Sequence, residues 1–429
     1  MDIQEKTTVC SQKNTCKFYK KILICAVVIF ALLVVALLSS TYIMAEYRYA
    51  QANNLIEKGE YTEAYHILKE CRTNKDARNL LEDFLVVNPE ITTYSYNTDG
   101  ELECIYKYKY DEFGNNVVAD EYYSDGRLND RTEMEYNENG DMTLLVSYGE
   151  DGTVIYQREW LYDSNGNYIE TIKSDKDGNV EERTTSEYDD RGNPTLVLLY
   201  VSDFTTPYRK TEYQYDEKGN MILKVQYDEN GQEILKYIDE YDESGNKCLS
   251  VVYNNGKIIS RTECEYDDTK NALHRTQYDE NNKLISRDYL ESDEQGNETL
   301  WISYNADGEI EGKTVFKYSK TSKIETEYDS DGNILWKMVE KYNKYGDYDG
   351  YLMYDENGKI FAQDVYTYDK KGNLLQTERR GDDGEIKERT VCEYDEKGNK
   401  IRMIEYIKER ITKVEEYSTP IIVYCPNNN

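Results

Sequence analysis

The chain has 429 residues and a net charge of −32, from 84 acidic and 52 basic side chains. A nucleic-acid-binding protein needs a basic face, so this balance excludes that class. Only 38% of the residues are hydrophobic, yet 44 are tyrosines; disordered acidic chains are poor in aromatics, so the composition points to an ordered protein packed by tyrosine.

Residues 1–21 form a polar head in which five lysines outnumber Asp2 and Glu5, a balance of +3. Ile22 to Leu38 is an unbroken apolar run, and mildly apolar sequence continues to Ala45. As a helix, 22–45 would span about 36 Å at about 1.5 Å per residue, enough for a bilayer. Lysines precede the run and Glu46 follows it. The positive-inside bias therefore predicts a single-pass signal anchor in a bacterial plasma membrane, with the N-terminus cytoplasmic and the rest extracytoplasmic. A cleaved signal peptide is the alternative, but the run is long and Ile43-Met44-Ala45 is a poor cleavage site.

Residues 46–88 predict a helical stalk or cap. Tyr49, Ala52, Leu55 and Ile56 form one apolar stripe, and Tyr61, Ala64, Tyr65 and Leu68 form the next. Gly59 between them suits a helix C-cap. Ala52, Gly59, Tyr61, Ala64 and Leu68 stand at a spacing that resembles a tetratricopeptide helix pair. Asp76 to Val87 is expected to form a third helix, stopped by Asn88-Pro89.

Residues 91–417 are a repeat. A main turn of the type Tyr-Asp-x-x-Gly-Asn begins at Tyr110, Tyr136, Tyr162, Tyr188, Tyr215 and Tyr241, loosens in the copies from Tyr266 to Tyr342, and returns in full at Tyr368 and Tyr394. The step from Tyr110 to Tyr136 to Tyr162 is held almost unchanged over twelve copies. A second series, Tyr-x-x-x-Gly, lies between them, as at Tyr96, Tyr148, Tyr227, Tyr304 and Tyr354. In the tile Tyr215–Asp242, Asp216 and Asp228 are expected to accept bonds from their own turns, and Gly219 and Gly231 to supply positive φ. Met221, Leu223, Val225 and Tyr227 are expected on one face, with Lys224 and Gln226 on the other. The strand after Gly231 alternates less cleanly. Asn282 stands in for a turn glycine, Thr269-Lys270-Asn271 and Thr321-Ser322-Lys323 lack one, and Val201 to Tyr208 replaces a turn with a loop.

The fold class is therefore mainly β: an antiparallel β-hairpin repeat array of 26-residue units, preceded by one transmembrane helix and a small helical segment. About 25 strands would make a flat ribbon about 120 Å wide, and open sheets rarely exceed about ten strands. The sheet must coil into a spiral, shell or solenoid, with a tyrosine-rich face inward. The helices are expected to cap its first edge, and Pro420 with the tail 418–429 to blunt the last.

The motif Tyr-Asp-x-x-Gly-Asn followed by a β run and a second turn resembles the YD repeat of the Rhs family, over Ile91 to about Tyr417. The resemblance implies a curved β-sheet shell of the kind carried by secreted toxins and adhesion proteins. Only twelve residues follow Tyr417, so no toxin domain is expected there.

Little in the chain suggests chemistry. Glu327 and Met338 fall where an EF-hand centred on Gly332 needs ligands, so calcium is expected only as a weak guest of acidic turns, and no other cofactor or metal is expected. His66 and His274 have no partners at metal-ligand spacing. Cys71, Cys104, Cys248, Cys264, Cys392 and Cys425 are irregularly spaced and expected as free thiols, with one or two disulfides left open. No phosphate-binding glycine loop occurs, and no enzyme activity is expected. Tyr106, Tyr108, Tyr110, Tyr122 and Tyr123 form a candidate ligand-binding aromatic row. The expected function is a membrane-anchored surface scaffold that binds protein or glycan ligands; the alternatives are a shell that encloses a client polypeptide and a glycan-active enzyme.

Overall fold

The computed structural model describes residues 44–71, 75–81, 83–201, 204–267 and 271–424. The chain divides into two compact units, one running to Val86 and resuming at Ile422, the other from Val87 to Ile421. No helix among the described residues is long and apolar enough to cross a membrane. The expected anchor, 22–45, lies outside the described residues except for its last two.

The first unit is built from α1 (residues 44–57), α2 (Tyr61–Lys69), α3 (Lys75–Leu81) and the short strand β1 (Phe84–Val87), which pairs with the last strand, β28 (Ile421–Tyr424). Both expected stripes face its core, which buries Ala52, Leu55, Ala64, Leu68, Cys71, Ala77, Phe84 and Ile422. Gly59 ends α1 at φ +76°. The Glu60 N–H reaches the Leu55 carbonyl at 2.9 Å and the Gly59 N–H the Ile56 carbonyl at 3.0 Å, the Schellman pattern. The third helix is shorter than expected. Phe84-Leu85-Val86-Val87 is β-prone sequence, and strand pairing with β28 wins over helix there.

Among the described residues the second unit contains 26 strands, from β2 (Glu90–Tyr96) to β27 (Arg410–Tyr417), each antiparallel to its sequence neighbours. β27 then pairs with β2, through Ile91 opposite Tyr417 and Tyr94 opposite Val414. The sheet is a closed barrel. Of the expected spiral, shell or solenoid, the closed form is the one adopted, so Pro420 has no edge of this sheet to blunt.

Two local devices build each tile. In the turn after Tyr215, Asp216 Oδ1 accepts the Lys218 and Asn220 N–H groups at 2.9 and 2.8 Å, and Oδ2 accepts the Asn220 side-chain amide at 2.9 Å. Gly219 takes φ +91°. Asp228 and Gly231 repeat the arrangement, with Gly231 at φ +75°. After each such turn one residue is bulged: Ile222 where the register steps past Tyr215, Ile234 where it steps past Tyr227, Ile285 and Leu335 in later tiles. Bulges bend a strand and raise its twist, and repeating one at both rims curves the sheet toward closure. The bulge also explains the uneven alternation after Gly231. Lys236 and Ile238 share the face of Val225, while Leu235 and Tyr237 share that of Gln226 and Lys224.

The weak turns close by other means. Asn282 and Asn271 adopt φ +59° and +49°. Ser319 and Ser322 pair directly across Lys320-Thr321, which accounts for the shortened repeat there. Lys408 and Glu409, at φ +48° and +64°, make a two-residue hairpin that carries no sequence signal.

Buried mid-strand side chains are small and come from both faces: Asp120, Val225, Val251, Thr326 and Val414 from one, Thr93, Ser147, Ser186, Thr211 and Asp239 from the other. A sandwich would bury a single face, so neither face packs on a second layer. Twenty-six strands about 4.8 Å apart set a backbone diameter of about 40 Å or more, too wide for side chains to fill. Both faces carry mid-strand charge, Lys236 and Arg261 on one and Lys224 and Asp239 on the other, unlike the apolar band of a lipid-facing barrel.

Candidate binding face: a girdle of tyrosines and cations

The two tyrosine series stand on opposite faces, because each ends a strand of different parity. Main-turn tyrosines clasp one rim. The hydroxyls of Tyr136, Tyr162, Tyr188 and Tyr394 donate to the carbonyls of Asn116, Met142, Tyr168 and Leu374 on the adjacent strand, at 2.8 to 2.9 Å.

The second series forms a girdle on the other face. Tyr200, Tyr227, Tyr253, Tyr278, Tyr328, Tyr354 and Tyr406 each stand opposite a lysine or arginine on the preceding strand. In every one of these seven pairs the cation lies over the ring, from 4.5 Å for Arg389 on Tyr406 to 6.0 Å for Lys313 on Tyr328. Each such contact is worth about 0.5–1 kcal/mol at an exposed site. In two tiles a glutamate completes a triad. Tyr227 donates to Glu212 at 3.1 Å and Tyr278 to Glu263 at 3.0 Å, and these carboxylates pair with Lys210 and Arg261.

Arg131, opposite Tyr148, makes a different contact. It grips Asp120 through two bonds of 2.6 and 2.9 Å, and this guanidinium holds the buried Asp120 carboxyl below its ordinary range. The girdle was not expected from the sequence. Its signal was nonetheless present, as a Lys or Arg at one fixed interval before a second-series tyrosine: Arg183 before Tyr200, Lys210 before Tyr227, Lys236 before Tyr253 and Arg261 before Tyr278.

The expected aromatic row is divided. Tyr106 and Tyr108 stack at 6.3 Å on the face that Tyr110 shares. Tyr122 stands on the girdle face, donates to Asp120 at 3.1 Å and lies under Lys107 at 4.8 Å. Tyr123 lies at the strand end with Arg127 over it at 5.1 Å. Strand alternation places Tyr122 and Tyr123 on opposite sides, so the five rings do not make one platform.

The turn carboxylates are engaged by their own loops. The Asn220 amide holds the Asp216 carboxyl below its ordinary range, with backbone N–H donors adding; Asn167, Asn193 and Asn333 do the same for Asp163, Asp189 and Asp329. A carboxyl depressed in the fold contributes stability above its unfolded pKa of about 3.9, and this is lost as pH falls through the folded value. Protonation between pH 7 and 5 instead relieves the repulsion of a −32 chain. Burial pushes the Glu325 carboxyl up, so it too favours the fold as pH falls. Urea midpoints are expected to hold or rise from pH 7 to 5 and to drop below about pH 4. A midpoint still rising at pH 3 would show that the turn bonds contribute nothing.

The described cysteines Cys71, Cys104, Cys248, Cys264 and Cys392 are free thiols. Cys425 lies outside the described residues.

A family model described only as an uncharacterised protein matches residues 137–288, about a third of the chain. No curated protein matches. Among solved structures the chain is similar to TcdB2-TccC3-TEV, at 12% identity and a TM-score of 0.21, over 80% of this chain and 26% of that one. It is similar to the Photorhabdus luminescens Tc holotoxin pore at 10% identity and 0.17, over 82% and 28%. A porin-like protein from Bacteroides uniformis is similar at 12% and 0.20, over 77% and 97%. The chain thus spans about a quarter of the toxin chains it matches.

Proposed function

We propose that the protein is a non-catalytic surface scaffold, whose barrel presents a periodic aromatic and cationic face to protein or glycan ligands outside the cell. The observation that carries this reading is the girdle: seven half-buried tyrosines, each under a cation, recur around one face of the barrel. Tyrosine offers a large rigid ring with a polar tip, a combination suited to recognition surfaces. The apolar run 22–45 supplies the single-pass anchor and the lysines before it the orientation, with the repeats extracytoplasmic. Protease added to intact cells is expected to cut within 91–417, and full protection of that region would overturn the topology. Purified protein is expected to retain particular polysaccharides or surface proteins without altering them; turnover of a retained polysaccharide would establish an enzyme instead.

One observation favours a second reading. A backbone diameter of about 40 Å leaves room for a polypeptide inside the barrel, as in a shell that encloses a client. Co-purification of a stoichiometric small protein, shielded from protease until the barrel unfolds, would establish that reading.

A further inference from the structure

Besides Arg131, a second cation of the girdle departs from its pattern. Arg287 stands opposite Tyr304, as the period requires. Among the described residues its exposed guanidinium makes no ion pair and lies over no ring. A cleft of about 400 Å³ opens at this place. Two cross-strand rows line it, Thr276–Arg287–Tyr304 and His274–Tyr289–Ile302, and Arg275, Asp288 and Gly308 complete the wall. The His274 and Tyr289 rings lie 4.8 Å apart. Tyr289 donates its hydroxyl to Glu291 at the margin, a bond that pushes the hydroxyl up to about 12 and keeps it neutral. The nearby carboxylate of Asp288 belongs to the opposite face, where Arg275 and the Trp301 indole N–H engage it at 2.8 and 3.1 Å. The cleft therefore holds a cation without a carboxylate partner on a protein of net charge −32.

We propose that this cleft binds one carboxylate-bearing sugar of a glycan, a uronic or a sialic acid. A guanidinium grips a carboxylate through two parallel bonds. The Tyr304 and Tyr289 rings and Ile302 supply apolar surface for a sugar ring, and the Thr276 hydroxyl and His274 supply polar contacts at its edge. The volume suits a small ligand, since such sites run from about 300 to 1,000 Å³. The charge of the whole chain repels a polyanion, so the best match is an isolated acidic sugar in a mostly neutral chain.

The proposal rests on the barrel acting as a ligand scaffold, and its test separates the two. Full-length protein is titrated with D-glucuronic acid, N-acetylneuraminic acid and, as the neutral control, glucose, followed by saturation-transfer NMR. One of the two acids is expected to bind saturably at millimolar concentration, which identifies the sugar, and glucose is not. Arg287→Gln is expected to weaken that binding about 10- to 100-fold, Tyr304→Leu to weaken it too, and Lys397→Gln, on a distant turn, to leave it unchanged. Thermal melts matching the parent show that the variants are folded. Glucose binding as well as the acids, unchanged affinity in Arg287→Gln, or no saturable binding of either acid each overturns the proposal. Polysaccharide retained equally by the parent and Arg287→Gln would overturn the cleft and leave the scaffold standing; retention of nothing would overturn the cleft and the glycan role together.

Discussion

Deletion of Asp228–Tyr241 is expected to open the barrel and drive it into aggregates larger than the parent, while the larger deletion Asp216–Tyr241 leaves it closed. Both deletions rebuild the same junction, a tyrosine followed by Asp242-Glu243-Ser244-Gly245-Asn246. They differ in parity. The first removes one strand, Glu233–Tyr241, and the second removes two, Met221–Tyr227 and Glu233–Tyr241. In a barrel of neighbouring antiparallel strands an even number is required, because the last strand must run against the first. From 26 strands the longer deletion leaves 24, and Arg410–Tyr417 still meets Glu90–Tyr96 antiparallel. The shorter leaves 25 and brings these two strands together in parallel. Two edges are then exposed, each a row of unpaired N–H and C=O groups that templates association. Size-exclusion chromatography with light scattering decides between the outcomes. A shorter-deletion variant that keeps the parent's size would show that closure does not hold the array together.

Gly350→Ala is expected to be among the most damaging single substitutions in the barrel. Gly350 lies in the strand Tyr348–Asp355 at φ +113°, and a Cβ there would stand 2.0 Å from the carbonyl oxygen of Asp364 on the next strand. Strain at such a φ costs about 1–3 kcal/mol, and with a backbone clash the loss should reach about 3–5 kcal/mol. Gly312 is the control. It has an ordinary φ, and an added Cβ would meet nothing closer than the Ser303 hydroxyl at 3.5 Å. Urea unfolding of the two alanine variants should separate them by at least about 2 kcal/mol. Equal midpoints would show that residue 350 relaxes to the backbone that Leu223 and Leu249 hold at the same place in their own tiles.

The turn chemistry was legible because it is local. Asp216, Gly219, Asp228 and Gly231 serve bonds and dihedrals confined to a single turn, and the structure places each of them in that role. The stripes of the first two helices were legible for the same reason. Residues 84–87 form a strand where the local sequence suggests helix, because their partner, Ile421–Tyr424, lies at the far end of the chain. The aromatic row failed at Tyr122 and Tyr123, where neighbours in sequence point to opposite faces. The girdle is hidden in the sequence because its pairs join strands across a hairpin, so that cation and ring are well separated along the chain, as Lys210 and Tyr227 are.

Period, turn type and strand length follow from short-range chemistry, and a single tile such as Tyr215–Asp242 already contains them. Closure does not. It requires Ile91 to meet Tyr417 after 26 strands of accumulated twist and a bulge after nearly every turn. No tile can specify that meeting, because each contributes only a small rotation and the total decides whether the ends coincide. The same long-range geometry sets Arg287 apart. Its sequence environment repeats that of Arg261 and Lys313, but only the folded barrel shows those two cations lying over their tyrosines while Arg287 stands beside an open cleft.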